Sequence, residues 1–257
     1  MTTVYLCQSR TAAKPLYIDD LDFNIRTIEE LCYLIRSYVP ILDEDFFGKR
    51  LTKWLARELQ MHRLARTLEI IRGKDENDVE SMALAVLSEI RYLDAAEQEE
   101  LSREIRGFRS LPYPARRKAR ADVLARSRKY MRALDIYKEI LRMESDSHLG
   151  AQFTGAVYHN MGAAYAGMFQ MDEACSCFKN AYSCLQTQKA LRDYLAGIYL
   201  KDGEEAYTRT ADDMGLDKSL RSEFEASLGG LKPATRPADL SRQLDSWVSE
   251  YHKDTRN

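Results

Sequence analysis

Four histidines and five cysteines are the side chains of this sequence best suited to metal or nucleophilic chemistry. They are His62, His148, His159 and His252, and Cys7, Cys32, Cys175, Cys177 and Cys184. No histidine has a second ligand at helical spacing, and no C-x-x-C is present, so the pattern predicts no metal site. Cys177 and Cys184 are seven residues apart and share a helical face, as small packing residues do. An odd cysteine count with no paired framework points to reduced thiols and a cytoplasmic setting. No G-x-S-x-G, Walker A, G-x-G-x-x-G or H-E-x-x-H occurs. Thr27-x-x-Glu30 is a helix cap and Gly229-Gly230 a helix stop. The expectation is a protein that is not an enzyme, with no catalytic residue and no cofactor.

Charge offers a different chemistry. Residues 75–100 hold nine acids and one base, Arg91, whereas residues 101–132 hold eleven bases and two acids. Within that stretch Arg116, Arg117, Arg120, Arg126, Arg128 and Lys129 form a candidate basic patch for an acidic peptide, a phosphorylated protein or nucleic acid. The competing reading is a solvated face that neutralises the acidic helix beside it. A net charge of −2 and the lack of interleaved aromatic residues for base stacking argue against nucleic acid.

Helices must position these groups. Gly (12) and Pro (6) are sparse in 257 residues, and helix-forming residues dominate. Val4–Cys7 and Leu16–Ile18 read as a small β-hairpin. Thr27 then caps a helix with Ile28, Leu31, Cys32, Ile35 and Val39 on one face, ended by Pro40. Asp43 or Glu44 opens the next, lined by Phe47, Leu51, Trp54 and Leu55. Met61 to Ile71 continues the period to a stop at Gly73. Further apolar stripes cover Val79–Ile90 and Leu101–Phe108. Leu111-Pro112-Tyr113-Pro114 is the clearest breaker, with Pro114 suited to the first turn of the following helix. It divides an N-terminal β-hairpin and helical region, 1–111, from a helical array, 114–254.

Within that array, Tyr158, Met161, Gly162, Tyr165, Ala174, Phe178 and Ala181 recur at fixed spacing. Gly162 and Ala174 are small where two helices must cross closely, and Tyr165 and Phe178 are large where a gap must be filled. Ala133, Tyr137 and Ile140 repeat the second half of this pattern, with Ala121 and Leu124 in the glycine and tyrosine slots. Ala196 and Tyr199 begin a third copy that turns at Lys201–Gly203. Residues 155–188 resemble a tetratricopeptide repeat, the 34-residue helix–turn–helix unit, and the likeness extends over about 114–215. The implied fold is mostly α, an array of helical hairpins with a C-terminal capping helix around Leu240, Leu244, Trp247 and Val248.

The resemblance also implies a role. Members of that family bind peptides or partner proteins in a groove lined by first helices, which here carry Lys118, Asp122, His159, Asn160 and Tyr194. Asn160 and Lys118 match positions of the family's carboxylate clamp; Asp122 and Tyr194 depart from it. The expectation is a cytoplasmic scaffold or adaptor for a protein or peptide partner. A nucleic-acid or anionic-ligand-binding regulator using residues 103–132 is the alternative. No apolar run approaches the roughly 20 residues that span a bilayer, and no signal peptide is visible at the N-terminus.

Overall fold

The computed structural model describes residues 10–143 and 150–228. Val4–Cys7, Cys7, His148, Gly229-Gly230, the helix expected at 240–248 and His252 lie outside them. Among the described residues there are two strands, β1 (Leu16–Ile18) and β2 (Phe23–Ile25), and twelve α-helices. The chain divides into two compact units, Met1–Leu149 and Gly150–Asn257.

In the first unit, β1 and β2 pair antiparallel with Leu16 opposite Ile25 and Ile18 opposite Phe23. The partner of Leu16–Ile18 is thus the segment after it, joined through a turn with Asp22 at φ 53°. Two strands alone are marginal in water. This pair is held by its buried face (Leu16, Ile18, Ile25) and by the Trp54 indole N–H, which donates to the Lys14 carbonyl at 2.9 Å.

Helix α1 (Ile28–Ser37) starts with a complete capping box. The Glu30 N–H donates to Thr27 Oγ1 at 3.2 Å, and the Thr27 N–H donates to the Glu30 carboxylate at 3.1 Å. A short 3-10 turn at Val39–Ile41 absorbs Pro40. Asp43 accepts from the Phe46 N–H at 2.8 Å but caps only a turn. Helix α2 (Lys49–Arg57) begins after the extended Gly48, later than Asp43 or Glu44. Gln60, at φ 59°, separates it from α3 (His62–Lys74), which runs through Gly73. Helices α4 (Val79–Glu89) and α5 (Ala95–Ser110) follow, N-capped by Asp78 and Asp94.

The break at Leu111-Pro112 ends α5, and Pro114 sits second in α6 (Tyr113–Arg126). Helix α7 (Tyr130–Arg142) returns along it: Arg117 of α6 pairs with Glu139, and Asp122 with Tyr137, late residues meeting early ones. This hairpin belongs to the first compact unit, so that unit ends after it rather than at the proline break. Its attachment is physical. Val123 joins the core built by the hairpin and the first five helices, and Arg120 is held by Asp20 and Asp43.

The second unit opens with α8 (Ala151–Gly167) and α9 (Met171–Leu185). Gly155 meets Leu185 and Gly162 meets Phe178, so the two helices are antiparallel. Helices α10 (Gln188–Asp202), α11 (Glu204–Asp213) and α12 (Lys218–Leu228) follow. Leu191, Leu195, Tyr207, Ala211, Phe224 and Leu228 form a core among them.

The α6–α7 and α8–α9 turns are built alike. Each has three residues, with Arg128 at φ 59° in one and Phe169 at φ 60° in the other. The Lys129 N–H donates to the Leu124 carbonyl at 2.8 Å; the Gln170 N–H donates to that of Tyr165 at 3.0 Å. These bonds occupy matching places in the repeated pattern. Of its small and large positions, Ala121, Leu124, Ala133, Tyr137, Ile140, Ala174, Phe178 and Ala181 are buried, whereas Tyr158, Tyr165, Ala196 and Tyr199 are half-buried.

Candidate partner-binding site

The close approach of α8 to α9 builds the site. A Cβ on Gly162 would stand 2.7 Å from Cδ1 and Cε1 of Phe178, so the glycine is what admits the ring. Gly197 of α10 approaches the same ring from another side; its Cβ would lie 3.5 Å from Cδ2. Phe178 thus fills the space between α8 and α10, and the imidazole of His159 lies 5.8 Å from its centroid.

His159 is fixed at both ring nitrogens. Nε2 lies 2.7 Å from Oδ2 of Asp193 on α10, and Nδ1 lies 3.3 Å from the amide oxygen of Asn160. Two oxygens facing two ring nitrogens favour the doubly protonated ring. The His159 pKa is accordingly raised, first by the Asp193 hydrogen bond and then by Asn160, against the opposing effect of burial. A His–Asp pair is also the orienting half of a nucleophilic triad. Here the second nitrogen faces an amide oxygen, which cannot serve as a nucleophile. What the arrangement offers is recognition: an imidazole, an amide and a carboxylate, all half-buried, suit the polar groups of an extended peptide.

Of the five residues expected in the groove, His159 and Asn160 come together. Tyr194 is half-buried one residue beyond Asp193. Burial raises its hydroxyl pKa first, then the nearby Cys175 thiol, while Lys201 lowers it. Tyr194 is therefore within electrostatic reach of α9. Lys118 and Asp122 stand on α6 in the first unit and satisfy one another at 2.7 Å, with Asp122 also accepting from the Tyr137 hydroxyl at 2.6 Å. Asp193 was not legible as a site residue, although its place 34 residues after His159 was a usable signal.

The basic patch is partly consumed inside the first unit. Arg120 pairs with Asp20 and with Asp43 (2.6 Å), Lys129 with Asp22 (2.7 Å), and Arg117 with Glu139. Arg126 and Arg128 are exposed and Arg116 is half-buried. The neutralising acids come mostly from the β1–β2 turn and from Asp43. The acidic stretch 75–100 pairs with the basic stretch through Arg106, by way of Glu80 and Glu99, and with Arg36 through Glu100.

Among the described residues no three His, Cys, Asp or Glu are grouped to hold a metal ion, and no helix is long and apolar enough to cross a membrane. Comparison with protein-family models, with curated proteins and with solved structures finds no match to this chain.

Proposed function

We propose that this chain is a non-enzymatic interaction module of tetratricopeptide type, which captures a peptide or partner protein along α8 and α10. The observation that carries the reading is the His159–Asp193 contact. These residues are 34 positions apart, one repeat length, and they meet at 2.7 Å on the first helices of successive hairpins. The contact ties α8 to α10 while both helices pack against α9, an arrangement that suits stacked hairpins with one face of first helices open to a partner. The matching turns of α6–α7 and α8–α9, and the Gly162–Phe178 crossing, support the same reading.

The proposed role is that of a scaffold or adaptor in the cytoplasm. Asn160 and the His159–Asp193 pair supply the polar contacts to the partner's backbone or side chains. The test is affinity capture from extracts of the source cell with the full chain as bait, set against the double variant N160A/D193A. Loss of specific partners with unchanged helicity supports the reading. An identical set of captured proteins removes this face from the account.

A further inference from the structure

Arg109 in the last turn of α5, and Arg116, Arg117 and Arg120 of α6, line one cavity of about 400 Å³ in the first unit. The break at Leu111-Pro112 separates the two helices and lets both present guanidinium groups to one space. Residues 116 and 120 are also one helical turn apart and share a face. That volume falls within the range of small-molecule sites.

The four arginines are not equivalent. Arg120 is held by Asp20 and Asp43, and Arg117 by Glu139. Arg109 and Arg116 are half-buried and have no carboxylate within ion-pair distance among the described residues. The Nε atoms of Arg116 and Arg117 are buried and have no acceptor. A buried guanidinium N–H without an acceptor marks a side chain whose hydrogen-bonding capacity the fold leaves unfilled. Apolar wall is supplied by Phe108, Tyr113, Pro40 and Leu42.

Charge balance selects the anion. Arg109, Arg116, Arg117 and Arg120 are matched in number by Asp20, Asp43, Glu44 and Glu139, of which Glu44 lines the cavity without an ion pair. A dianionic phosphate monoester would find only two guanidinium groups without an ion pair, Arg109 and Arg116, and would face Glu44. A monoanion needs only directed donors, and the planar guanidinium fork fits the two oxygens of a carboxylate. We propose that this cavity binds a small organic carboxylate with an aromatic or apolar body. Arg109 and Arg116 take the carboxylate, and Phe108 and Tyr113 take the body. The site lies outside the α8–α10 face and does not depend on the function proposed for that face.

Calorimetric titration of the full chain with 3-phenylpropanoate tests this, with 3-phenylpropanol and phenyl phosphate as comparison ligands. The expected result is saturable binding of the carboxylate, no binding of the alcohol and weaker binding of the phosphate. R109Q and R116Q should each weaken binding by about tenfold, as loss of a charge-assisted bond does. R116K, which keeps the charge and loses the fork, should weaken it as well. R126Q/R128Q, which removes two exposed bases from the same stretch, should change it less than about twofold. Equal losses in R126Q/R128Q and R109Q would overturn the site in favour of diffuse attraction. Tighter binding of phenyl phosphate would overturn the choice of a monoanion, and no saturation by about 10 mM carboxylate would overturn the site outright. R109Q carries the test if R116Q fails to fold.

Discussion

Replacing Gly162 with alanine sets a local preference against a tertiary one. Alanine in a helix interior is favoured over glycine by about 1 kcal/mol. At Gly162 the new Cβ would lie 2.7 Å from two ring carbons of Phe178 and 3.1 Å from a third. Relief to ordinary contact needs the ring to move by roughly 1 Å. The ring has little room, because Gly197 and the His159 imidazole bound it elsewhere. Overpacking of this kind costs about 1–3 kcal/mol, so G162A should be destabilising by about 1 kcal/mol net once the helix preference is subtracted.

Gly107 is the matched control. It lies inside α5 with nothing within 4 Å of its would-be Cβ, so G107A should stabilise by about 0.5–1 kcal/mol. Urea denaturation followed by far-ultraviolet circular dichroism gives both signs, and amide exchange in α8–α10 assigns the G162A effect to the second unit. In an F178L background the G162A penalty should shrink or reverse, which a double-mutant cycle reads directly. If G162A raises the midpoint as much as G107A, Phe178 is not seated on Gly162, and the reasoning about this crossing fails.

Other perturbations test the remaining links. Because the His159 pKa is raised on folding, the stability it contributes is fully present below the ordinary histidine value and is lost as pH rises through the folded one. D193N should therefore cost about 1 kcal/mol near pH 6 and much less near pH 9. The imidazole proton shifts should titrate at lower pH than in the parent; an unmoved titration would mean that Asp193 does not hold the ring. R120A leaves Asp20 and Asp43 facing each other without their shared cation and should cost about 1–2 kcal/mol in urea denaturation, since the site is only partly buried. R126A, at an exposed position, should cost almost nothing in the same assay. T27A removes one half of the capping box and should lower stability by about 1 kcal/mol, with faster amide exchange confined to the first turn of α1.

Local signals were legible where their physics is local. Thr27 and Glu30 act across three residues, Pro112 acts on its immediate neighbours, and apolar side chains three and four apart define a buried face whatever lies opposite. The mostly helical fold with an N-terminal hairpin was readable on those grounds. So were the small and large packing positions around Gly162 and Phe178. The second strand was missed because Phe23-Asn24-Ile25 is short and only partly apolar; its pairing depends on the turn at Asp22. Helix α2 starts late because Gly48 is extended, which a smooth apolar period does not reveal.

The sequence on its own therefore settled most of which segments are helical, because helix formation is a contest among neighbours in the chain, and the repeated spacing marked which residues in 155–181 are small or large. Tertiary structure alone decided how charge is spent. Arg120 meets Asp20 and Asp43 across 100 and 77 residues, and Lys129 meets Asp22 across 107. It also decided that His159 is clasped by Asp193 and that Arg109 and Arg116 are left over. A Coulombic or hydrogen-bonded pair depends on separation in space to within a few ångströms, and no spacing rule along the chain fixes that distance for residues on different helices.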